Sequence, residues 1–527
     1  MTMHVVWFKR DLRVWDHRPL CAAVEAGKED GRPVLPLYIA EPGLWAQKDA
    51  SARQWDFIAE GLDELRDDLG KRGQPLVIRV GEAADLFEKL QRKHGITGLW
   101  SHEETGNGWT YDRDMAVGAF CQQASIPWRE FRQSGAIRKL KSRNRWASQW
   151  EAFMAETLVE PPRALRPIAG IDPGAIPDAT SLGLAPAPCP GRQKGGRVQA
   201  HEDLASFFEG RGRTYQRAMS SPLTGFDACS RMSAHIAWGT ISVREVTQTA
   251  YHLRNRFLDR EARDRPIPIK AIDAFTARLH WHCHFMQKLE TEPQLEFRTL
   301  HPYYDDARDD GNDPALLSAW QKGETGFPMV DACMHALSAT GWMNFRMRAM
   351  LMAFASYHLW LDWRRTGPVL ASLFTDYEPG IHWSQSQMQS GTTGINTPRI
   401  YNPVKQAQDQ DPDGVFIRRW VPELSNVPTA FIHEPWKMDP MLQIETGCRI
   451  GTDYPDRVVD HQVAAREAKA KISEIRRRPG YWDIAQDIVT RHASRKRPAR
   501  GPDWSKRKQA GKTSKTQPAS PQLAMDV

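Results

Sequence analysis

Between Gly341 and Trp363 the chain reads GWMNFRMRAMLMAFASYHLWLDW, an apolar run interrupted by Arg346, Arg348, His358 and Asp362. Arginines set among Met, Ala and Phe are costly to bury unless acceptors meet them. Two acids follow closely, Asp376 and Glu378, in DYEPGIHWSQSQMQSGTTG, and His382 stands four residues further on. A large, flat, partly polar ligand would explain why such a core keeps its charges. No Gly or Pro occurs from Trp342 to Thr366, so a single long helix is expected there, preceded by Gly341 and stopped at Gly367-Pro368.

Other motifs fail on inspection. The first strand-like run leads into Lys9-Arg10-Asp11-Leu12-Arg13 rather than a glycine fingerprint, so that turn should not hold a dinucleotide pyrophosphate. Gly106-Asn107-Gly108 is too little to restore the idea. Gly511-Lys512-Thr513 mimics the end of a phosphate-binding loop, but residue 506 is Lys and no strand precedes it. His102-Glu103-Glu104 and His433-Glu434 lack the second His of a metalloprotease helix. His280, His282, Cys283 and His284 cluster, yet on a helix only 280 and 284 share a face, and no carboxylate is near in sequence. Packed or ligand-touching histidines are expected there, and no metal site. The seven Cys form no C-x-x-C pair, and their scatter fits a reducing cytoplasm.

The elements that must position these residues fall into two patterns. Short apolar runs at 4–10, 34–39, 75–80 and 97–102 alternate with helix-like stretches at 51–71, 82–94 and 110–124. Such alternation implies an α/β, doubly wound parallel sheet with helices on both faces, over residues 1–135. Residues 136–200 read as an interdomain linker; its part from Val159 to Ala200 holds eight prolines, which suits a connector lying over the surface. Helical patterns dominate 201–490, at about 228–238, 241–258, 271–289, 326–339, 342–365 and 461–477. The last segment, 491–527, carries ten Lys/Arg against two acids, so the net charge of +7 belongs to this tail and the rest of the chain is near neutral. A disordered extension is expected, with non-specific affinity for nucleic acid as the sharper reading. The N-terminus begins on a strand-like run rather than a signal peptide, and no apolar run reaches membrane-spanning length, so a cytoplasmic protein is expected.

Four blocks carry a family resemblance: WFKRDLRVWDHRPL at 7–20, CSRMSAHIAWGTIS at 229–242, GETGFPMVDACMHALSATGWMNFRMRAML at 323–351, and RIYNPVKQ through FIRRWVPEL to HEPW at 399–436. In this order they resemble the photolyase/cryptochrome flavoproteins. The resemblance implies FAD, bound in an all-α C-terminal domain and folded into a U. It places Tyr215 at the FAD phosphate and Cys229, Ser230, Arg231, Met232 and Ser233 around the pyrophosphate, with Cys229 in place of the usual Thr. It pairs Arg348 with Asp376 against the flavin ring, sets Glu378 as the second acid of that block, and puts His382 opposite flavin N5, where the best-known repair enzymes carry Asn. Phe275, Arg278, His282 and Phe345 fall on the same cofactor cavity.

For the substrate, the resemblance implies DNA carrying UV lesions, with Trp281 packing a flipped-out pyrimidine dimer and Arg346 at the DNA phosphate. Arg278 replaces a dimer-binding glutamate, Met388 replaces a second stacking tryptophan, and Phe345 and Ala349 replace an Asn and a Met. Of a three-tryptophan electron relay only Trp363 remains, with Ser386 and Asp310 at the flanking places and Trp342, Tyr357, Trp360, Tyr377 and Trp383 available for another route. A second, antenna chromophore of folate or deazaflavin type would meet Glu103 or Glu104 in SHEETGNGWTYDRD. The function implied is light-driven repair of cyclobutane pyrimidine dimers by a monomeric deoxyribodipyrimidine photo-lyase. A cryptochrome-type blue-light receptor is the alternative, and a flavin-free relative that merely binds nucleic acid the third reading.

Overall fold

The computed structural model describes residues 2–309 and 312–493. Asp310, the Gly511-Lys512-Thr513 motif and nearly all of the basic tail lie outside the described residues. No described helix is long and apolar enough to cross a membrane.

Five strands, β1 (Met3–Phe8), β2 (Val34–Ala40), β3 (Val77–Val80), β4 (Ile96–His102) and β5 (Trp128–Phe131), form one sheet. All pairs are parallel, in the order β3-β2-β1-β4-β5. Side chains alternate across it. Val6 and Phe8 enter one apolar cluster with Leu20, Ile58 and Leu62, while Val5 and Trp7 enter another with Phe87, Leu99 and Val117. Helices therefore cover both faces, which is the doubly wound arrangement expected. In the α/β part the sequence reading missed the helix Arg18–Asp30, the one-turn helix Pro42–Trp45 and β5. β5 has only four residues, none of them buried, so it offers no apolar run to find. The helix Arg18–Asp30 starts where the His17 imidazole accepts from the Leu20 amide at 3.1 Å, a cap that sequence rules assign to Ser, Thr, Asp or Asn.

The proline-rich connector does more than lie over the surface. Leu165, Ile168, Leu182 and Leu184 are buried, and the Pro173 carbonyl accepts from the Ile78 amide at 2.7 Å on the edge strand β3. The connector thus occupies a sheet edge that would otherwise present unpaired backbone groups.

In the helical part, the helix expected at 228–238 is the shorter Met232–Ala237, set off from a preceding helix Pro222–Ala228 where Arg231 turns left-handed at φ 65°. The single helix expected over 342–366 is likewise broken. A helix runs Phe345–Ala353, five residues of π-helix follow at Phe354–His358, and a new helix runs Trp363–Leu373. Asp362 restarts it by accepting from the Arg364 amide at 2.7 Å. Gly367-Pro368 does not stop this second helix; Pro368 sits inside it. Trp360 makes the break at φ 53°, its ring flanked by the Arg308 guanidinium at 4.7 Å and the Lys471 ammonium at 4.6 Å. No local residue type announces this turn, because the partners that hold it come from distant segments.

The two parts of the chain are joined at helix ends. Arg53 Nη1, on the helix Ala52–Gly70, donates to the carbonyls of Leu337, Ser338 and Leu373 at 3.4, 2.9 and 3.2 Å. Gln54 Nε2 donates to Ala371 and Phe374 at 2.9 and 3.2 Å. A cation and an amide from the α/β part thus satisfy the last carbonyls of two helices of the other part, where cations are favoured. Trp238 Nε1 adds a bond to the Thr375 carbonyl at 2.8 Å, and Arg10 Nη2 one to that of Tyr377 at 2.7 Å. Replacing Arg53 by Ala should lower unfolding free energy by about 2–3 kcal/mol, since buried carbonyls lose a charged donor. A urea titration checks this, and an unchanged midpoint would show that water replaces the guanidinium.

Candidate functional site

A cavity of about 320 Å³ opens in the helical part, and the residues proposed from the sequence for the cofactor and the lesion line it, except Trp363 and Met388. Tyr215, Cys229, Ser230, Met232 and Ser233 form one wall. Burial pushes the Cys229 thiol up to about 12, so it stays protonated as a weak donor. Ser230 Oγ is only 3.4 Å from the Met232 amide, a weak cap, and the capping position itself belongs to Arg231. The Arg231 guanidinium lies 4.2 Å from both the Phe226 and Trp342 rings.

The long helix Ile269–Thr291 supplies Phe275, Arg278, Trp281 and His282 at the three- and four-residue spacing of one face. Trp281 stacks on Phe285, with centroids 5.7 Å apart and planes at 29°, and meets His284 edge-on at 5.0 Å. The helix Phe345–Ala353 supplies Phe345, Arg346 and Arg348, with Phe345 on the rim at 40 % exposure. His280 and His284 do not come together as ligands; both pack against the Trp146 ring.

Arg348 and Asp376 form a two-pronged pair, Nη1 to Oδ1 at 3.0 Å and Nη2 to Oδ2 at 2.7 Å. Arg348 Nε donates to the Met343 carbonyl at 2.6 Å, and its guanidinium lies 4.0 Å from the Phe374 ring. Three of its five N–H groups are thereby engaged, one on each nitrogen, which fixes the side chain in one pose and leaves an N–H on each Nη. Beside it His282 Nε2 meets Glu378 Oε2 at 2.7 Å. Burial works against a charge on His282, but the Glu378 carboxylate and its hydrogen bonds raise it to about 10, so the pair is ionic at neutral pH.

His382 has the opposite fate. Burial first, then the Arg348 charge, lower it to about 4 against the pull of the Gly367 carbonyl, so the ring is neutral. Nε2 donates to that carbonyl at 2.9 Å, which assigns the tautomer and leaves Nδ1 as an acceptor. A titrating His382, as the residue type alone implied, is therefore not what the structure holds near neutrality.

Sequence reasoning missed Asn344, which also lines the cavity. Its amide donates to the carbonyls of Met219 and Ser220 at 3.1 and 2.8 Å instead of capping the helix it precedes. Its Oδ1 is buried and finds no partner among the described residues, as does Gln385 Nε2 on the same cavity. Orphaned buried polar atoms mark a polar ligand's place. With an apolar floor of Leu279, Met352 and Phe374, a fixed ion pair and a wall of hydroxyls, the donor set fits a flat heteroaromatic ring carrying an anionic arm.

Trp363 lies outside the cavity, fully buried, and connects to it through rings. Trp383 is 5.9 Å from it and 4.9 Å from His382. Ser386, at a flanking relay position, lines the cavity.

Two smaller cavities meet the acids proposed for an antenna, and Glu104 lines both. Glu104 lines one of about 50 Å³ at the C-terminal ends of β1 and β2, with Lys9, Glu41 and Arg113, in the crevice where open parallel sheets receive ligands. It is already paired with Arg113 at 2.6 Å. Glu103 lines another of about 40 Å³, with Arg13, His282 and Glu378.

Comparison with known proteins bears on this site. The family model "FAD binding domain of DNA photolyase" matches residues 275–474, and "DNA photolyase" matches residues 4–141. A cryptochrome DASH of Gloeobacter violaceus is 28 % identical over 497 residues, covering 88 % of this chain and 95 % of its own. A deoxyribodipyrimidine photo-lyase of Escherichia coli is 28 % identical over 508 residues, covering 90 % and 100 %. Among solved structures, a class III photolyase from Agrobacterium tumefaciens superposes with a TM-score of 0.76 at 26 % identity, covering 90 % of this chain and 98 % of that one. An archaeal photolyase from Sulfolobus tokodaii with two FAD molecules has a TM-score of 0.72 at 22 % identity, covering 90 % and 100 %, and shares the fold.

The His282–Glu378 pair predicts a pH dependence. The folded value lies above the ordinary imidazole range, so its contribution is full below about pH 6.5 and is lost as pH rises towards 10. Unfolding free energy should fall across that window, and His282→Gln should flatten the fall. A variant whose profile matches the parent's would remove the pair from the account.

Proposed function

The chain belongs to the photolyase/cryptochrome flavoprotein family, and we propose that it is a deoxyribodipyrimidine photo-lyase, splitting cyclobutane pyrimidine dimers in DNA with light. One observation carries the choice of repair. Trp281 stands on the wall of the cavity, backed by Phe285 and accompanied by Arg278 and Arg346, so an extruded pyrimidine dimer would meet an aromatic face beside cations.

Reduced FAD, when bound, supplies on absorbing light the electron that opens the dimer and takes it back. The chain's residues do the rest. Arg348, fixed by Asp376, presents a guanidinium of single orientation to the cofactor, favouring an anionic ring. Tyr215 and residues 229–233 hold the phosphates through hydroxyl and backbone donors. His382, neutral and held by Gly367, offers an acceptor without adding charge. Trp281 stacks the lesion, and Arg346 steadies its backbone. Leu279, Met352 and Phe374, on the cavity floor, would exclude water from the bound ring.

Arg278 favours a second reading. A cation where the resemblance implies a dimer-binding glutamate would weaken lesion recognition, and the Gloeobacter relative is named a cryptochrome. The readings part in one assay: the reduced protein is illuminated with dimer-containing single- and double-stranded oligonucleotides while thymine absorbance is followed. Recovery of absorbance supports repair. Light-driven flavin changes with bound but unrepaired DNA support a photoreceptor.

Trp281→Ala should keep its flavin and lose about ten- to a hundredfold in affinity for the lesion, as a stacking face is worth roughly 1–3 kcal/mol per base. Arg348→Ala should come off purification depleted of flavin. Full lesion affinity in the first variant, or full flavin in the second, would count against these roles.

A further inference from the structure

Tyr377 is the residue that the proposed repair mechanism leaves unused. It lines the large cavity and also the 50 Å³ cavity of the α/β part. Its ring meets His382 edge-on at 5.4 Å, and it is buried. Its hydroxyl donates to Asp49 Oδ2 at 2.5 Å, across 328 residues of sequence. The same carboxylate oxygen accepts from Asn107 Nδ2 at 3.1 Å, and Arg10 holds the Tyr377 carbonyl. Burial and the Asp49 charge raise the phenol well above its ordinary value, so it keeps its proton in the resting protein.

We propose that Tyr377 is a proton-coupled electron donor to the cofactor bound in the large cavity, with Asp49 as its proton acceptor. This rests on the reading of that cavity as the FAD site. Tyr377 gives one electron to photoexcited oxidised flavin. Its O–H bond breaks, an O–H bond forms on the Asp49 carboxylate, and Tyr377 is left a neutral phenoxyl radical. One electron leaves the phenol and one enters the flavin, while the proton stays within the hydrogen bond.

Trp363 and Trp383, the ring pair that leads to His382, lack such an exit. Trp363 Nε1 and Trp383 Nε1 are buried and find no partner among the described residues. The Arg364 guanidinium, 5.6 Å from the Trp363 ring, further disfavours a positive charge there. A hole on that pair must remain a cation, whereas the phenol sheds its charge through the proton. An ordinary interdomain hydrogen bond would share the geometry but not the redox behaviour, so the experiment reads the latter.

The test illuminates the FAD-loaded, oxidised protein with blue light, without added reductant, and traps it by freezing. The expected result is a tyrosyl signal in electron paramagnetic resonance together with a new protonated-carboxyl band in the infrared difference spectrum. Tyr377→Phe should abolish both. Asp49→Asn should abolish the carboxyl band and slow flavin reduction, and Trp363→Phe should leave the tyrosyl signal. A tyrosyl signal that survives Tyr377→Phe, or a parent protein that shows only a tryptophan signal, overturns the proposal while leaving the FAD site intact. Protein that binds no flavin overturns both readings together.

Discussion

The Arg348–Asp376 pair is the constraint on which the site depends. It ties the helix Phe345–Ala353 to the turn before the helix Pro379–Ser390, and so fixes two walls of the cavity relative to each other. Asp376 is almost wholly buried while Arg348 keeps part of its surface towards the cavity, so the acid is spent on structure and the guanidinium remains for a ligand. A buried pair of this kind costs desolvation and is retained where it holds a geometry.

That constraint is itself held from outside. The segment 371–377 is bonded by Gln54, Trp238 and Arg10, and Arg53 bonds the last carbonyls of the helix Trp363–Leu373 that leads into it and of the helix Pro328–Thr340. The α/β part thus braces the wall that carries Asp376 and Tyr377. Its connector closes the sheet edge at β3, and the crevice at the C-terminal ends of β1 and β2 meets the helical part at Trp238, Tyr377 and Pro379.

The charges around the cavity are sorted by partner rather than by residue type. His282 and His382 are both buried histidines on its wall. Glu378 faces the first and keeps it charged, while the second meets a carbonyl and the field of Arg348 and is neutral. Cys229, under the same burial, stays a thiol. The cavity can therefore offer cations, a neutral acceptor and a weak donor at separate places, which suits one asymmetric ligand.

Much of this was legible in the chain. Short continuous apolar runs marked four of the five strands because a parallel sheet covered on both faces buries successive residues, and β5 escaped because none of its four residues is buried. The arginines at 346 and 348 announced acceptors, and Asp376 proved to be one. What the amino-acid order determined by itself was whatever depends on neighbours within a turn or two: strand and helix periods, the need of a buried guanidinium for a carboxylate, and the likeness of the four blocks. Tertiary structure decided the break at Trp360, the pairing of Glu104 with Arg113, the proton on each histidine and the bond from Tyr377 to Asp49. Each of these is set by groups 9 to 328 residues away, whose distance and burial no local pattern records.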